Sequence, residues 1–304
     1  MLYIYTEKLF FFGRIKYFFN KLFRRENRGP QAVLDSLTVG LEELGKDFTI
    51  NKKFTKTINT ACVISGVKTL EWAIKQKLEG RVKKIIAGPN LVVSPKDFDG
   101  ILTDPLIDKI IVPSPWVKEY YIKVAPVLAG KIEIWPAGVS NVPEKGYVKN
   151  LDFVVYNKIG GSQLFLDICK ILNSRGLAYK VLTYGKFKQR DYFEFLNQAR
   201  FEIYLSRSES QGLAMFEAWA RNVPAFVWEN AVFGKDGQSV KGKISSPFLS
   251  NELGMAFRDY EDFKAKLPLF LNTSFAPRKY IKENFTNKIC AEKYLQIVND
   301  SKNI

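Results

Sequence analysis

The sequence predicts an α/β protein made of two open-sheet domains. Three observations carry that expectation. The chain has 304 residues, more than one ordinary core organises and well suited to two domains of similar size. Short apolar runs alternate with helical periodicities, the pattern of an open α/β sheet. The pattern breaks at 141–150, where Pro143, Gly146 and Asn150 place a hinge.

The first half opens with a buried strand, Met1–Tyr5. A segment rich in Phe, Lys and Arg follows at 8–28, with apolar residues at spacings of three and four. It fits either a basic amphipathic helix in an anionic membrane interface or a core helix with a basic outer face. Charges interrupt it too often for a transmembrane span. The strand before it and the lack of a small-residue cleavage site argue against a signal peptide. Gly29-Pro30 then opens a helix, 31–44, whose stripe is Val33, Leu34, Leu37, Leu41 and Leu44. Strands at 60–65 and 84–87 flank a helix at 69–78. Strands at 109–113 and 131–135 flank another at 115–124.

The second half begins with strand 152–156, the turn Asn157-Lys158-Ile159-Gly160-Gly161 and a helix, 162–175. Strand, glycine turn and helix form a phosphate cradle by geometry, and Lys158 adds positive charge there. Strand 180–184 ends at Tyr184 and leads through Gly185 to Lys186, in a generally basic loop with Lys188 and Arg190. A helix at 191–199 precedes the most informative stretch, 201–228. There a buried strand (201–205) runs into a polar turn (206–212) and a helix (213–221) with Leu213, Phe216 and Ala220 on one face. Asn222 and Pro224 stop that helix before a second strand, 225–228. Glu209 lies in the turn and Glu217 eight positions on, inside the helix. Gly212 permits a tight backbone whose N–H groups point outward at a helix N-terminus, where phosphate is attracted. Residues 229–247 read as a loop, 257–260 and 261–271 as a strand end and a helix, and 277–300 as one helical run.

This layout resembles the Glu-x(7)-Glu signature of retaining GT-B glycosyltransferases. Ile110–Trp116 (IIVPSPW) and Ile132–Val139 (IEIWPAGV) resemble the stretches that close the first domain of that family. The resemblance implies two Rossmann-like domains facing a cleft, with a C-terminal helix crossing back to the first. The boundaries expected are 1–145 for an acceptor-binding domain, 146–276 for a nucleotide-sugar-binding domain and 277–304 for the returning helix. It also implies roles. Glu217 would hydrogen-bond the donor ribose, and Glu209 would sit near the transferred sugar. The backbone of Ser210, Gln211, Gly212 and Leu213 would hold sugar hydroxyls and phosphate. Lys158, with Lys186, would neutralise the diphosphate, and Tyr184 would lie on the donor side. Gly29 and Pro30 match the acceptor-side loop, although the family's loop carries a Gly-Gly pair and this one a single glycine.

Composition sets the remaining limits. At 46% hydrophobic and 25% charged residues the chain is globular, and its formal net charge of +15 implies an anionic partner. There is no histidine, which excludes Ser-His-Asp and Cys-His nucleophiles and His-containing metal sites. A front-face retaining transfer, in which the leaving phosphate serves as base, needs no histidine. The three cysteines form no CxxC pair and read as buried apolar residues of a reducing compartment. Asp97-Phe98-Asp99 has the form of a metal-binding DxD, yet so short a pattern arises often by chance, and no metal site is assigned. The expected partners are a UDP- or GDP-linked sugar donor, a glycan or lipid-linked acceptor of cell-envelope polysaccharide synthesis and, through 8–28, an anionic membrane surface. No resident cofactor is expected, and the location is cytoplasmic, peripheral on the membrane's cytoplasmic face. Nucleic acid is not the expected partner, because no compact basic-aromatic module occurs. The alternative to an enzyme is a GT-B protein that binds a glycan or nucleotide without turnover.

Overall fold

The computed structural model describes residues 1–7 and 29–300. The basic segment at 8–28, and with it the expected membrane contact, lies outside the described residues. The chain divides into two compact units. One comprises Met1–Gly138, Gly234–Ser239 and Asn287–Ile304, the other Val139–Phe233 and Val240–Thr286.

The first unit is built on a six-stranded parallel sheet in the order β2-β1-β3-β4-β5-β6. Its strands are β1 (Leu2–Tyr5), β2 (Phe48–Ile50), β3 (Ile58–Ser65), β4 (Val82–Asn90), β5 (Lys109–Val112) and β6 (Ile132–Ile134). The helices are α1 (Pro30–Glu43), α2 (Val67–Leu78) and α3 (Pro115–Val124). Strands covered on both faces must be apolar throughout, and β3 shows this with Ala61, Cys62, Val63 and Ile64 fully buried. The Thr-Ile edge of β2 is only three residues long, too short to give a periodic signal in the sequence.

The second unit holds a five-stranded parallel sheet in the order β13-β10-β9-β7-β8. It contains β7 (Leu151–Asn157), α4 (Gln163–Ser174), β8 (Tyr179–Thr183), α5 (Gln189–Gln198), β9 (Ala199–Leu205), α6 (Leu213–Ala220), β10 (Ala225–Trp228), β13 (Gly254–Phe257) and α7 (Tyr260–Asn272). The two faces of this sheet differ. Phe153, Val155, Phe201, Ile203 and Phe226 on one side pack with Ile168 and Leu172 of α4 and Phe263, Leu267 and Phe270 of α7. Phe226 stacks on Phe270 with centroids 4.6 Å apart. On β9 the alternate residues are Glu202 and Tyr204, so the opposite side carries polar groups. α6 ends where expected, with Asn222 left-handed at φ 62°.

Besides β2, which the sequence reading lacks, and β13, which ends at Phe257 where the sequence reading has a strand end at 257–260, two further elements depart from it. Residues 229–247 contain a hairpin, β11 (Val232–Lys235) and β12 (Gln238–Lys241). Asp236 and Gly237 at its tip both have positive φ, 56° and 74°, as a two-residue hairpin turn of the I′ type requires. The terminal helical run is two helices, α8 (Pro277–Asn284) and α9 (Asn287–Asp300). The chain leaves helical geometry at Phe285, and Thr286 makes a parallel bridge to Val139. α9 belongs to the first unit, where Trp135 Nε1 donates to the Cys290 carbonyl at 2.7 Å. It packs on α1 at Gly40, where any Cβ would collide with the Asn287 carbonyl, so the glycine permits the close approach.

Candidate active site

In the second sheet, β8 lies on one side of β7 and β9 on the other. The chain reverses its direction of winding between β7 and β9, which makes the carboxyl ends of these strands a topological switch point, the usual ligand site of such sheets. The ladders continue past the strands. Lys158 N donates to the Leu205 carbonyl at 2.8 Å, and Tyr184 N donates to the Asn157 carbonyl at 2.9 Å. Lys158 therefore sits between the ends of β9 and β8.

The charged centre is built from three strands' ends. Lys158 Nζ contacts Glu209 Oε1 at 2.6 Å, and Tyr204 Oη donates to the same oxygen at 2.8 Å. Lys158 Nζ also lies over the Tyr184 ring, 4.5 Å from its centroid. The structure thus brings Lys158, Glu209 and Tyr184 together, residues separated by up to fifty-one positions in the chain. Asn157 shapes the turn below them. Its side chain accepts from Ile159 N at 3.0 Å and donates to the Gly160 carbonyl at 2.9 Å. Gly160 takes φ 65°, and a Cβ on Gly161 would meet open space.

The turn before α6 is braced from behind. Glu209 N donates to the Ile244 carbonyl at 3.0 Å. Residues 244 and 245 are themselves held by Glu229, whose Oε1 accepts from the amides of Ala231, Ile244 and Ser245 at 2.9, 3.1 and 2.9 Å. Gly212 caps α6 at φ 87°, a conformation that favours glycine, and its carbonyl accepts from Met215 N at 3.0 Å, so only the Leu213 and Ala214 amides precede the helix's own hydrogen bonds. Ser210 is exposed, Gln211 buried and Leu213 half-buried. Glu217, further along α6, accepts from Gln189 Nε2 at 2.6 Å, and its backbone carbonyl accepts from Arg221 at 2.9 Å. Lys186 is exposed in the turn after β8, its amide donating to the Thr183 carbonyl. Gly29 and Pro30 belong to the first unit. There Gly29 is the cap of α1 and Pro30 its first residue, both exposed.

A tyrosine array underlies the charges. Tyr156 and Tyr204, opposite each other in register, stack with centroids 4.9 Å apart and planes 9° from parallel. Burial pushes the Tyr156 hydroxyl up, and the nearby carboxylates of Glu209, Glu202 and Glu217 push it further. Tyr204 is raised well above its ordinary value by burial, then by Glu209. These tyrosines therefore remain protonated.

Asn157, Tyr204, Glu202 and Glu229 are the side chains of this corner that motif reading missed. Glu202 and Tyr204 did leave a signal, since a strand read as buried must bury them too. The Asp97-x-Asp99 pattern has a structural role instead. Asp97 Oδ2 accepts from the amides of Val93 and Ser94 at 3.0 and 2.8 Å, and Oδ1 accepts from Lys235 at 3.0 Å. Burial would raise the Asp97 carboxyl, but the Ser94 amide and Lys235 outweigh it and hold the group below its ordinary value. No group of three potential metal ligands occurs among the described residues.

No family model and no curated protein sequence matches the chain. Solved structures do. The lipopolysaccharide outer core galactosyltransferase WaaB, in its apo form, is similar over 89% of this chain and 79% of its own, with 13% identity and a TM-score of 0.54. A variant of S. aureus TarM in complex with fondaparinux, alpha-GlcNAc-glycerol and UDP is similar over 87% of this chain and 58% of its own, at 12% identity and a TM-score of 0.53. The fold is GT-B. The N-terminal domain of Candida albicans trehalose-6-phosphate phosphatase is also similar, over 80% of this chain and 70% of that domain, at 11% identity and a TM-score of 0.54. Identities this low speak for the fold alone, and one fold hosts several chemistries.

Proposed function

We propose that this protein is a glycosyltransferase that moves a sugar from a UDP- or GDP-linked donor to a glycan or lipid-linked acceptor, with retention at the anomeric carbon and without a metal ion. The observation that carries this reading is the Lys158–Glu209 pair at the switch point of the second sheet, beside the first turn of α6. A nucleotide diphosphate needs cations and backbone amides at one place, and this corner has both. WaaB is named a galactosyltransferase and TarM was solved with UDP, which supports the choice of donor class.

The chemistry follows from the charges. As the bond between the anomeric carbon and the phosphate oxygen breaks, both electrons leave with the nucleotide diphosphate. Lys158, with Lys186 from the neighbouring turn, and the α6 amides stabilise that growing negative charge. The leaving phosphate takes the proton of the acceptor hydroxyl, whose oxygen bonds to the anomeric carbon on the same face. Glu209, kept in place by Tyr204 when Lys158 turns to the diphosphate, orients the sugar and faces its positive charge. Glu217 holds the ribose, Ser210, Gln211, Gly212 and Leu213 line the sugar and phosphate, and Tyr184 covers the donor. Gly29 and Pro30 serve the acceptor. Residues 8–28 hold the enzyme on the cytoplasmic face of an anionic membrane, where cell-envelope glycans are assembled.

Incubation with UDP- and GDP-sugars tests the central part. The wild type is expected to transfer or slowly hydrolyse at least one donor and Lys158→Ala to lose this activity. Binding of a nucleotide sugar with no turnover under any acceptor would instead identify a binding protein. Liposome flotation of the wild type against a deletion of 10–23 tests the membrane role, and equal flotation rejects it.

A further inference from the structure

Glu202 is fully buried in the middle of β9, on the same face as the tyrosine array. Among the described residues its Oε2 has no hydrogen-bond partner. Its Oε1 lies 2.8 Å from Tyr192 Oη, and that hydroxyl also lies 2.8 Å from the Ala214 carbonyl in the first turn of α6. A phenol has one proton to donate. It cannot serve two acceptors at that distance, and a naked carboxylate oxygen in a dry interior carries a heavy penalty. If the second proton belongs to the carboxyl group, the first difficulty vanishes and the second shrinks to that of a neutral carbonyl oxygen.

We infer that Glu202 is held as a neutral acid and is a positioning residue for the donor site: it donates to Tyr192 Oη, Tyr192 donates to the Ala214 carbonyl, and this relay fixes the first turn of α6. The inference rests on the donor-site reading for its consequence, though not for its proton. The groups facing the pair are Tyr156 from β7, Tyr204 from β9, Glu217 from α6 and Arg221 just beyond α6, while β10 places Ala225 opposite Glu202. Burial pushes the Glu202 carboxyl up to about 8, against the Tyr192 hydrogen bond and with help from the charge of Glu217. Above that value the relay loses its first proton, and two acceptors then compete for the Tyr192 hydroxyl.

Difference infrared spectroscopy of the wild type against Glu202→Gln reads the proton directly. The wild type should show the carbonyl band of a protonated carboxylic acid at pH 7, absent from E202Q and fading as the pH is raised past 8. Absence of the band overturns the assignment. If E202Q does not fold, the pH titration of the wild-type band decides the same point. Amide hydrogen exchange at 213–217 reads the positioning role, with no ligand needed. Tyr192→Phe should exchange there about tenfold faster than the wild type, the loss expected of one buried hydrogen bond. Unchanged exchange in Y192F overturns the relay. A wild type that binds neither UDP nor GDP would remove the donor-site reading and leave the infrared and exchange results to decide this one.

Discussion

Each sheet of this protein has one switch point, and the two are built alike and finished differently. In the first unit β1 lies between β2 and β3, and in the second β7 lies between β8 and β9. Each corner faces a helix capped by a glycine of positive φ, Gly66 at 89° and Gly212 at 87°. Among the described residues, the side-chain hydrogen bonds that Thr6 makes beyond β1 run between neutral groups. Thr6 N donates to Asn51 Oδ1 at 2.9 Å, Asn51 Nδ2 donates to Thr6 Oγ1 at 3.1 Å, and Thr69 Oγ1 donates to the Thr6 carbonyl at 3.2 Å. Beyond β7 the corresponding place holds Lys158, Glu209 and tyrosine hydroxyls. One topology thus provides two corners with different side-chain chemistry, and under the proposed function it is the one with Lys158 that takes the diphosphate.

The comparison is broken most directly at Lys158. Lys158→Ala should lower the transfer rate by about 10²–10³-fold, the usual loss when a group stabilising a leaving charge is removed. Steady-state kinetics with saturating donor checks it, and a loss below tenfold would shift the role elsewhere.

The next effect concerns the buried acid beneath the corner. Glu202 has its folded value raised from 4.5 to about 8, so the folded state keeps a proton that the unfolded chain releases. Its stabilising contribution is complete below pH 4.5 and is lost as the pH rises through 8. Each pH unit in that window should remove up to about 1.4 kcal/mol from the wild type relative to Glu202→Gln. Denaturant unfolding at several pH values measures this slope, and parallel curves for the two proteins would contradict it.

Glu217 should give a smaller loss confined to binding. Glu217→Gln keeps the shape while weakening the acceptor for a ribose hydroxyl, and about a tenfold loss of donor affinity is expected by calorimetry. Gln189, which donates to Glu217, limits the damage to packing. Asn51→Ala, at the corner of the first sheet, should cost about 1 kcal/mol of stability and leave nucleotide affinity unchanged. A fall in affinity there would erase the distinction between the corners.

What could be read from the sequence was local. Lys158 beside Gly160-Gly161, and the run from Glu209 through Gly212 to Glu217, are strand-turn-helix junctions, where a few adjacent residues set the backbone. The partners that complete the site came from elsewhere in the chain. Tyr204 reaches Glu209 across the turn, Gln189 reaches Glu217 from α5, and Glu229 braces the turn from beyond β10. No periodicity reports such contacts. The hairpin at 232–241 was legible in principle, since Asp236-Gly237 is a strong turn signal. Its short strands alternate too weakly between Lys and Gln to be recognised. The break between α8 and α9 coincides with a bridge from Thr286 to Val139, nearly 150 residues away, a contact that no periodicity reports.

The most direct measurement is an amide hydrogen-exchange footprint of UDP and GDP on the wild-type protein. The charged corner predicts protection at 158–162 and 210–215, with 6–7 and 65–69 unchanged. Protection at the corner of the first sheet, with the second left as it was, would contradict the account.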